Sequence, residues 1–357
     1  LRESRSKRQW SELDVVCGAS VGLEVIAPDI CRILRGIVGA DAGALFWMGQ
    51  GDLPVGFFHE DSSGAVRDLF ANAYEELFVG PAEINVASLI RRKDRASGHV
   101  IAPPESYWRS NTYNLLVRAS GHQHSLDLRI DENGVACAVL LLFRERGRPP
   151  FTEDHMALLQ MALPALRRAV HLSPAPQRWS TKGSPAYLLV DGLARQLLFC
   201  SPTATDLLQR SNLVAQGVPM FGALTAPPAF AAELSRRLKS EHRPRIYLPI
   251  PEGRLHITAE RLAANGGKDA TLITLQHEEP DRIAIMRRVL GFDLSPRQKS
   301  IMLAAAAGAS RAEAAEQTST SPEAMKKHLA AIFDVVGARS WTDLTQVFAT
   351  RSTGESE

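Results

Sequence analysis

Residues 294–348 read LSPRQKSIMLAAAAGASRAEAAEQTSTSPEAMKKHLAAIFDVVGARSWTDLTQVF, and this stretch decides how the chain is read. Ser295, Pro296, Arg297 and Gln298 form a capping box with proline at the first helical position, and Ser310 to Glu313 form a second box. Gly308 stops the first helix. Three small polar residues, Thr318, Ser319 and Thr320, separate the second helix from a third that begins Ser321, Pro322. A short helix, a tight turn and a longer helix make a helix-turn-helix arrangement. On the third helix Met325, Leu329, Ile332, Phe333 and Val336 keep helical spacing and turn inward, so Lys326, Lys327 and Ala330 face out. Gly337 ends it, and Arg339 to Phe348 predicts a fourth helix with Trp341, Leu344 and Val347 as its apolar face.

Working outward, Leu172 to Pro185 and a shorter seam at Glu278 to Asp281 are Pro-rich or weakly patterned and read as linkers. Upstream, Pro28 to Val38 has a helical apolar rhythm, Ala42 to Met48 and Leu53 to His59 are strand-like, and Ala65 to Phe78 is amphipathic. His124 to Ile130 alternates, and Val135 to Arg144 is nearly all apolar, with a hairpin connection at Asp131 to Gly134. Phe151 to Leu172 predicts a closing helix capped by Thr152 and kinked at Pro164. In the middle block Ala186 to Val190 and Arg195 to Ser201 predict two strands around a turn, followed by a helix from Thr203. Ile246 to Pro249, Arg254 to Leu262 and Ala270 to Gln276 supply later strands, with Gly266 and Gly267 in a turn.

The carboxy-terminal segment resembles the LuxR-type helix-turn-helix family without a gap. The match runs through Leu294 to Arg297, Gly308, Ala315, Ser321, Pro322, Lys326, His328, Leu329, Ile332, Phe333, Gly337, Arg339, Ser340 and Leu344. The first block resembles a GAF sensor domain in layout, and the opening of the middle block resembles a PAS domain. These resemblances imply an α+β multidomain fold class. GAF-like and PAS-like antiparallel-sheet sensor domains would occupy residues 10–171 and 185–277, and an all-α four-helix LuxR-type domain residues 282–350.

The LuxR-type resemblance implies a third helix in the DNA major groove. Ser321, Lys326, Lys327, His328, Arg297 and Arg339 become candidate DNA contacts, and Trp341, Leu344 and Val347 a dimerisation face. Each has a plainer reading: a solvated charged face for the lysines, a packed ring for His328, ordinary surface arginines for Arg297 and Arg339. The chain departs from the family at Gln298, usually acidic, at Thr318–Thr320, usually Leu-Gly-Ile, at Ala324 and Met325, usually Thr-Val, and at Val335, usually lysine. Two apolar core contacts become hydroxyls, each costing about 1–3 kcal/mol if buried without a partner, so a looser turn is expected. Six basic against five acidic residues leave only +1 over 294–350, which favours a homodimer that doubles the phosphate contacts.

In the first block Trp47, Phe57, Phe70, Tyr74, Trp108 and Tyr113 are candidate ligand-binding residues, with a plain hydrophobic core as the alternative. In the middle block Phe199, Phe221, Tyr247 and His256 form a second candidate set. His122 and His124 alternate as two ligands on one strand face would, but no third ligand stands at suitable spacing, so no metal site is predicted. Cys17, Cys31, Cys137 and Cys200 have no CxxC spacing, and read as small hydrophobes in a reducing cytoplasm. No GxSxG, GxxxxGK[ST], HExxH or kinase signature is present, so no enzyme and no catalytic residue is predicted.

The 357 residues exceed one compact core, and 41 Lys and Arg against 39 Asp and Glu confine any nucleic-acid contact to a local surface. No apolar run reaches the length of a bilayer span, so no membrane partner is expected. The first residue is Leu1, and the native start is expected upstream. The expected partners are double-stranded DNA, a second copy, a small-molecule signal, and RNA polymerase if the chain activates. No cofactor is identified. The expected function is a bacterial, signal-controlled transcription regulator. The rival reading is a sensor or adaptor whose degenerate helix-turn-helix contacts protein.

Overall fold

The computed structural model describes residues 2–49, 54–92, 95–132, 134–171, 178–211, 216–263 and 269–349. Helices α1 (Arg2–Cys17) and α2 (Leu23–Val38) precede strands β1 (Ala42–Met48) and β2 (Pro54–His59). Three short helices follow, α3 (Gly64–Asn72), α4 (Tyr74–Leu77) and α5 (Val86–Arg91), then β3 (His122–Glu132), β4 (Val135–Glu145), α6 (Glu153–Gln160) and α7 (Leu163–His171). The strands form an antiparallel sheet in the order β2-β1-β4-β3. Strand alternation divides its side chains into two layers. Leu45, Leu128, Leu140 and Leu142 pack against α1, α2, α6 and α7, whereas Phe46, Phe57, Val139 and Phe143 face a second cluster under α3 and α5. The closing helix is broken into two rather than kinked: proline at the second position of α7 leaves no amide for the preceding turn. Thr152 donates its amide to His155 Nδ1 at 3.1 Å in the expected cap.

The second unit contains β5 (Trp179–Asp191), β6 (Leu197–Cys200), α8 (Pro202–Arg210), α9 (Ala229–Arg237), β7 (Arg245–Ile250), β8 (Gly253–Leu262) and β9 (Ala270–Pro280). Its sheet is antiparallel in the order β6-β5-β9-β8-β7. Leu188, Ile257, Ile273 and Leu275 bury one face against Leu207, Leu208 and Leu234 of the helices. Both expected linkers are corrected here. Residues 172–177 lie outside the described residues, as do Gly266 and Gly267, but Trp179 to Lys182 pair with His277 to Pro280 as the long ends of β5 and β9. Backbone pairing gives these polar residues a strand without an apolar pattern.

β9 runs directly into α10 (Asp281–Gly291), followed by α11 (Pro296–Ala306), α12 (Arg311–Gln317), α13 (Pro322–Val336) and α14 (Trp341–Ala349). The last four are the expected helices, packed around Ile301, Met302, Met325, Leu329, Ile332 and Leu344. α10 belongs to two cores. Ile283 and Met286 enter the first unit's cluster, while Val289 enters the carboxy-terminal one. The fold class is α+β, with two antiparallel sheets and a helical carboxy-terminal unit. Among the described residues, no helix is long and apolar enough to cross a membrane.

Candidate functional site

A cavity of about 80 Å³ opens between the first sheet and its cover. Phe46, Phe57, Phe70 and Phe143 make one wall; His59, Arg67, Asn85, Tyr107, His122 and Ser125 supply polar edges. Of the six aromatic candidates only Phe57 and Phe70 are among the lining residues. Trp47 follows Phe46 on β1, so alternation turns it to the helix-covered face. Tyr74 stands behind Phe70, edge-on at 5.6 Å, with its hydroxyl donating to Asn85 Oδ1 at 3.3 Å. Trp108 and Tyr113 pack edge-to-face on each other at 4.9 Å, each against Tyr107, which reaches the lining in their place. Sequence spacing could not find Phe46, Tyr107 or Phe143, because the wall is assembled from separate strands and a loop.

The polar edge holds a cluster that the sequence hid. A register shift between His122 and His124 opposes His122 to Glu145 and His124 to Arg144, so the two rings lie on opposite faces of β3. The pairing of His122 with His124 is therefore corrected. His122 instead meets Asp61, with Nε2 3.1 Å from Oδ1, and His59 Nδ1 lies 3.3 Å from the same oxygen. Both rings stack parallel on Phe143, with centroids at 4.9 and 5.1 Å. Burial lowers the His59 pKa. Burial opposes ionisation of Asp61, but the hydrogen bond from His122 and the neighbouring His59 ring outweigh it and hold that carboxyl well below the usual range. His122 Nδ1 is buried and has no hydrogen-bond partner.

The candidate set of the middle block does not enclose a site. Phe199 is 72% and Phe221 66% exposed, while Tyr247 stacks on His256 at 4.8 Å on the outer part of the sheet. The four cysteines are free; Cys17 and Cys31 are buried, Cys137 and Cys200 half-buried. Burial pushes the Cys17 thiol up to about 12 and Cys31 higher than usual, so neither is a ready thiolate at neutral pH.

In the carboxy-terminal unit, Ser321 caps α13 by accepting the Ala324 amide at 3.3 Å. Lys326, Lys327 and Ala330 are exposed, and His328 is half-buried beside Leu329. Arg339 is exposed, and its amide donates to Asp343. Arg297 does something the sequence did not reveal: its guanidinium donates to the Thr318 carbonyl and ties α11 to the turn. Lys299, counted among the available charges, is only 5% exposed, with Nζ donating to the Leu290 carbonyl at 2.7 Å. Burial lowers its pKa.

The expected loose turn is also corrected. Thr318 Oγ1 donates to the Ala314 carbonyl at 2.6 Å and lies 2.9 Å from Thr320 Oγ1, so its buried hydroxyl has partners. Ser319 takes the left-handed conformation, φ 48°, at the position where the LuxR-type pattern has glycine. The expected dimerisation face is partly buried in its own unit, with Trp341 and Val347 half-buried. Leu344 is fully buried, Trp341 Nε1 donates to the Ala309 carbonyl at 3.1 Å, and Val347 packs against the same core. The outward positions of α14 are the polar Thr342 and Gln346.

No family model and no curated protein matches the chain. Among solved structures, a Vibrio cholerae VqmA–ligand–DNA complex is 14% identical over 48% of this chain and 85% of that one, with a TM-score of 0.28. A phage VqmA–DPO complex is 14% identical over 47% and 81%, TM-score 0.21. The E. coli DhaR(N)–DhaL complex is 13% identical over 77% and 89%, TM-score 0.24. Superpositions this loose show no more than a general likeness of fold.

Proposed function

We propose that the chain is a bacterial, cytoplasmic DNA-binding transcription regulator, not an enzyme, controlled by a small molecule in the first-unit cavity. The observation that carries this reading is α13: a capped helix behind a closed turn, with Lys327 exposed opposite its buried Met325, Leu329 and Ile332 and Lys326 exposed on the flank. That geometry suits insertion into a major groove, with the lysines on phosphate or base edges and Ser321, His328 and Arg339 near the backbone. Arg297, exposed while one guanidinium nitrogen holds the Thr318 carbonyl, stays among the proposed backbone contacts. The small net charge of the unit makes a homodimer on paired half-sites part of the proposal, with RNA polymerase as the partner if binding activates. In that homodimer the half-buried Trp341 and Val347 are the candidates for the pairing surface, and Leu344 belongs to the core of its own unit. We assign residues 10–171 to the sensor, 185–277 to a middle unit and 282–350 to DNA binding.

Signal transfer has a physical route. Asp68 on α3, beside the cavity, accepts the Met220 amide of the second unit at 3.0 Å. Arg287 on α10 bonds Asp29 on α2 at 2.9 Å and also Glu279 on β9. A ligand that favours one packing of these contacts biases α10, and with it the helices that follow. The test is a gel shift with the protein's own upstream DNA at moderate salt, with and without cell extract. A shift that responds to extract is expected; no shift under either condition favours the adaptor.

A further inference from the structure

We propose that His59, Asp61 and His122 bind a divalent transition-metal ion of the zinc class at the polar edge of the first-unit cavity. Their ligand atoms, two imidazole nitrogens and one carboxylate oxygen, all lie within 4.8 Å of one another. Donors held about 2.0–2.2 Å from one ion in a tetrahedron stand roughly 3.3–3.5 Å apart; two of the three separations here, 3.3 and 3.1 Å from Asp61 Oδ1 to the two rings, are close to that, and the third lies within 4.8 Å. The fold brings them together by two separate devices: the end of β2 and its following bend carry His59 and Asp61, and the register shift in β3 turns His122 onto the same face.

The proton arrangement is what favours an ion over a plain hydrogen-bonded cluster. The Ser62 amide donates to His59 Nδ1 at 3.2 Å, so that nitrogen presents a lone pair rather than a hydrogen. The same nitrogen faces the Asp61 carboxylate, and two acceptors at 3.3 Å repel unless a cation lies between them. An ion there would take the lone pair in place of the amide. It would also fix the His122 tautomer, with Nε2 on the metal and a proton on Nδ1, the buried nitrogen that has no protein partner and borders the cavity. A cavity occupant that accepts a hydrogen bond would complete it.

The donor set selects the ion. Imidazole nitrogen suits zinc and its neighbours, whereas magnesium and calcium prefer all-oxygen sites. Three protein ligands leave a fourth position open.

The test uses tag-free full-length protein, stripped with a chelator and titrated with Co²⁺ by visible absorption, then displaced with Zn²⁺. The expected result is one ion per chain and a d–d band of tetrahedral intensity. Asp61→Ala and His59→Gln should each weaken binding at least 10-fold, while His124→Ala, on the opposite face of β3, should leave it unchanged. Absence of saturable uptake by the natural chain overturns the site, as does undiminished affinity in both variants. Should His59→Gln lose its fold by circular dichroism, the half-exposed Asp61→Ala decides alone. Metal uptake is read without DNA, so its failure leaves the regulator reading intact, and a failed gel shift leaves the metal site intact.

Discussion

The two sheets are built from the same antiparallel pairing and differ in what covers them. The first is buried on both faces: four helices close one side, and short helices and a loop close the other around a cavity with ionisable groups at its edge. The second buries one face and leaves Tyr187 and Phe199 of the other exposed. A sheet covered on both sides can enclose a small ligand and report its presence through packing; a sheet covered on one side presents a surface. This contrast supports the proposed sensor role of the first unit.

The largest expected effect tests that difference in burial. Leu140→Ala, at the fully buried centre of the first sheet, should lower stability by about 2–5 kcal/mol in denaturant unfolding, whereas Phe199→Ala on the second should stay within about 0.5 kcal/mol. Equal costs would mean that the exposed face of the second sheet is covered in the protein as it exists in solution.

A smaller effect tests whether the two units are joined. Arg287 links Asp29, in the first unit's shell, to Glu279 at the end of β9. Both carboxylates are largely buried, though Arg32 also reaches Asp29 at 3.4 Å. Arg287→Ala is expected to cost about 2 kcal/mol, between an exposed and a buried ion pair. A double-mutant cycle with Asp29→Asn should give at least about 0.5 kcal/mol of coupling; additive costs would separate the units.

The smallest change leaves both sheets alone. Ser319→Gly should stabilise the carboxy-terminal unit by about 1 kcal/mol, since the serine holds a left-handed backbone that glycine adopts freely. If thermal unfolding shows a loss instead, the serine side chain contributes more to the turn than its backbone costs.

The contrast also explains what could be read from the chain. The helix-turn-helix was legible because its determinants are local: Ser295 and Ser310 cap through residues three positions on, and Gly337 ends α13 with φ 74°. The inward set of α13 followed from spacing for the same reason. The cavity was not legible, because Phe57 and Phe143 meet only through sheet order, and Trp47 is separated from Phe46 by which face of β1 it occupies. His59, Asp61 and His122 left one local trace, a carboxylate two residues after a histidine; their junction needed an irregularity in β3 that composition does not announce. The misread linkers share a cause. Trp179 to Lys182 are held by backbone bonds to β9, and no hydrophobic alternation marks them.

The central claim is that the outer face of α13 meets DNA, and the most direct measurement is the salt dependence of binding to the chain's own upstream DNA. Replacing Lys326 and Lys327 together by alanine should reduce the slope of log affinity against log salt by about 1.8 per bound subunit, at about 0.9 per lost phosphate contact. An unchanged slope, in a variant with unchanged thermal unfolding, would take that face out of any DNA interface.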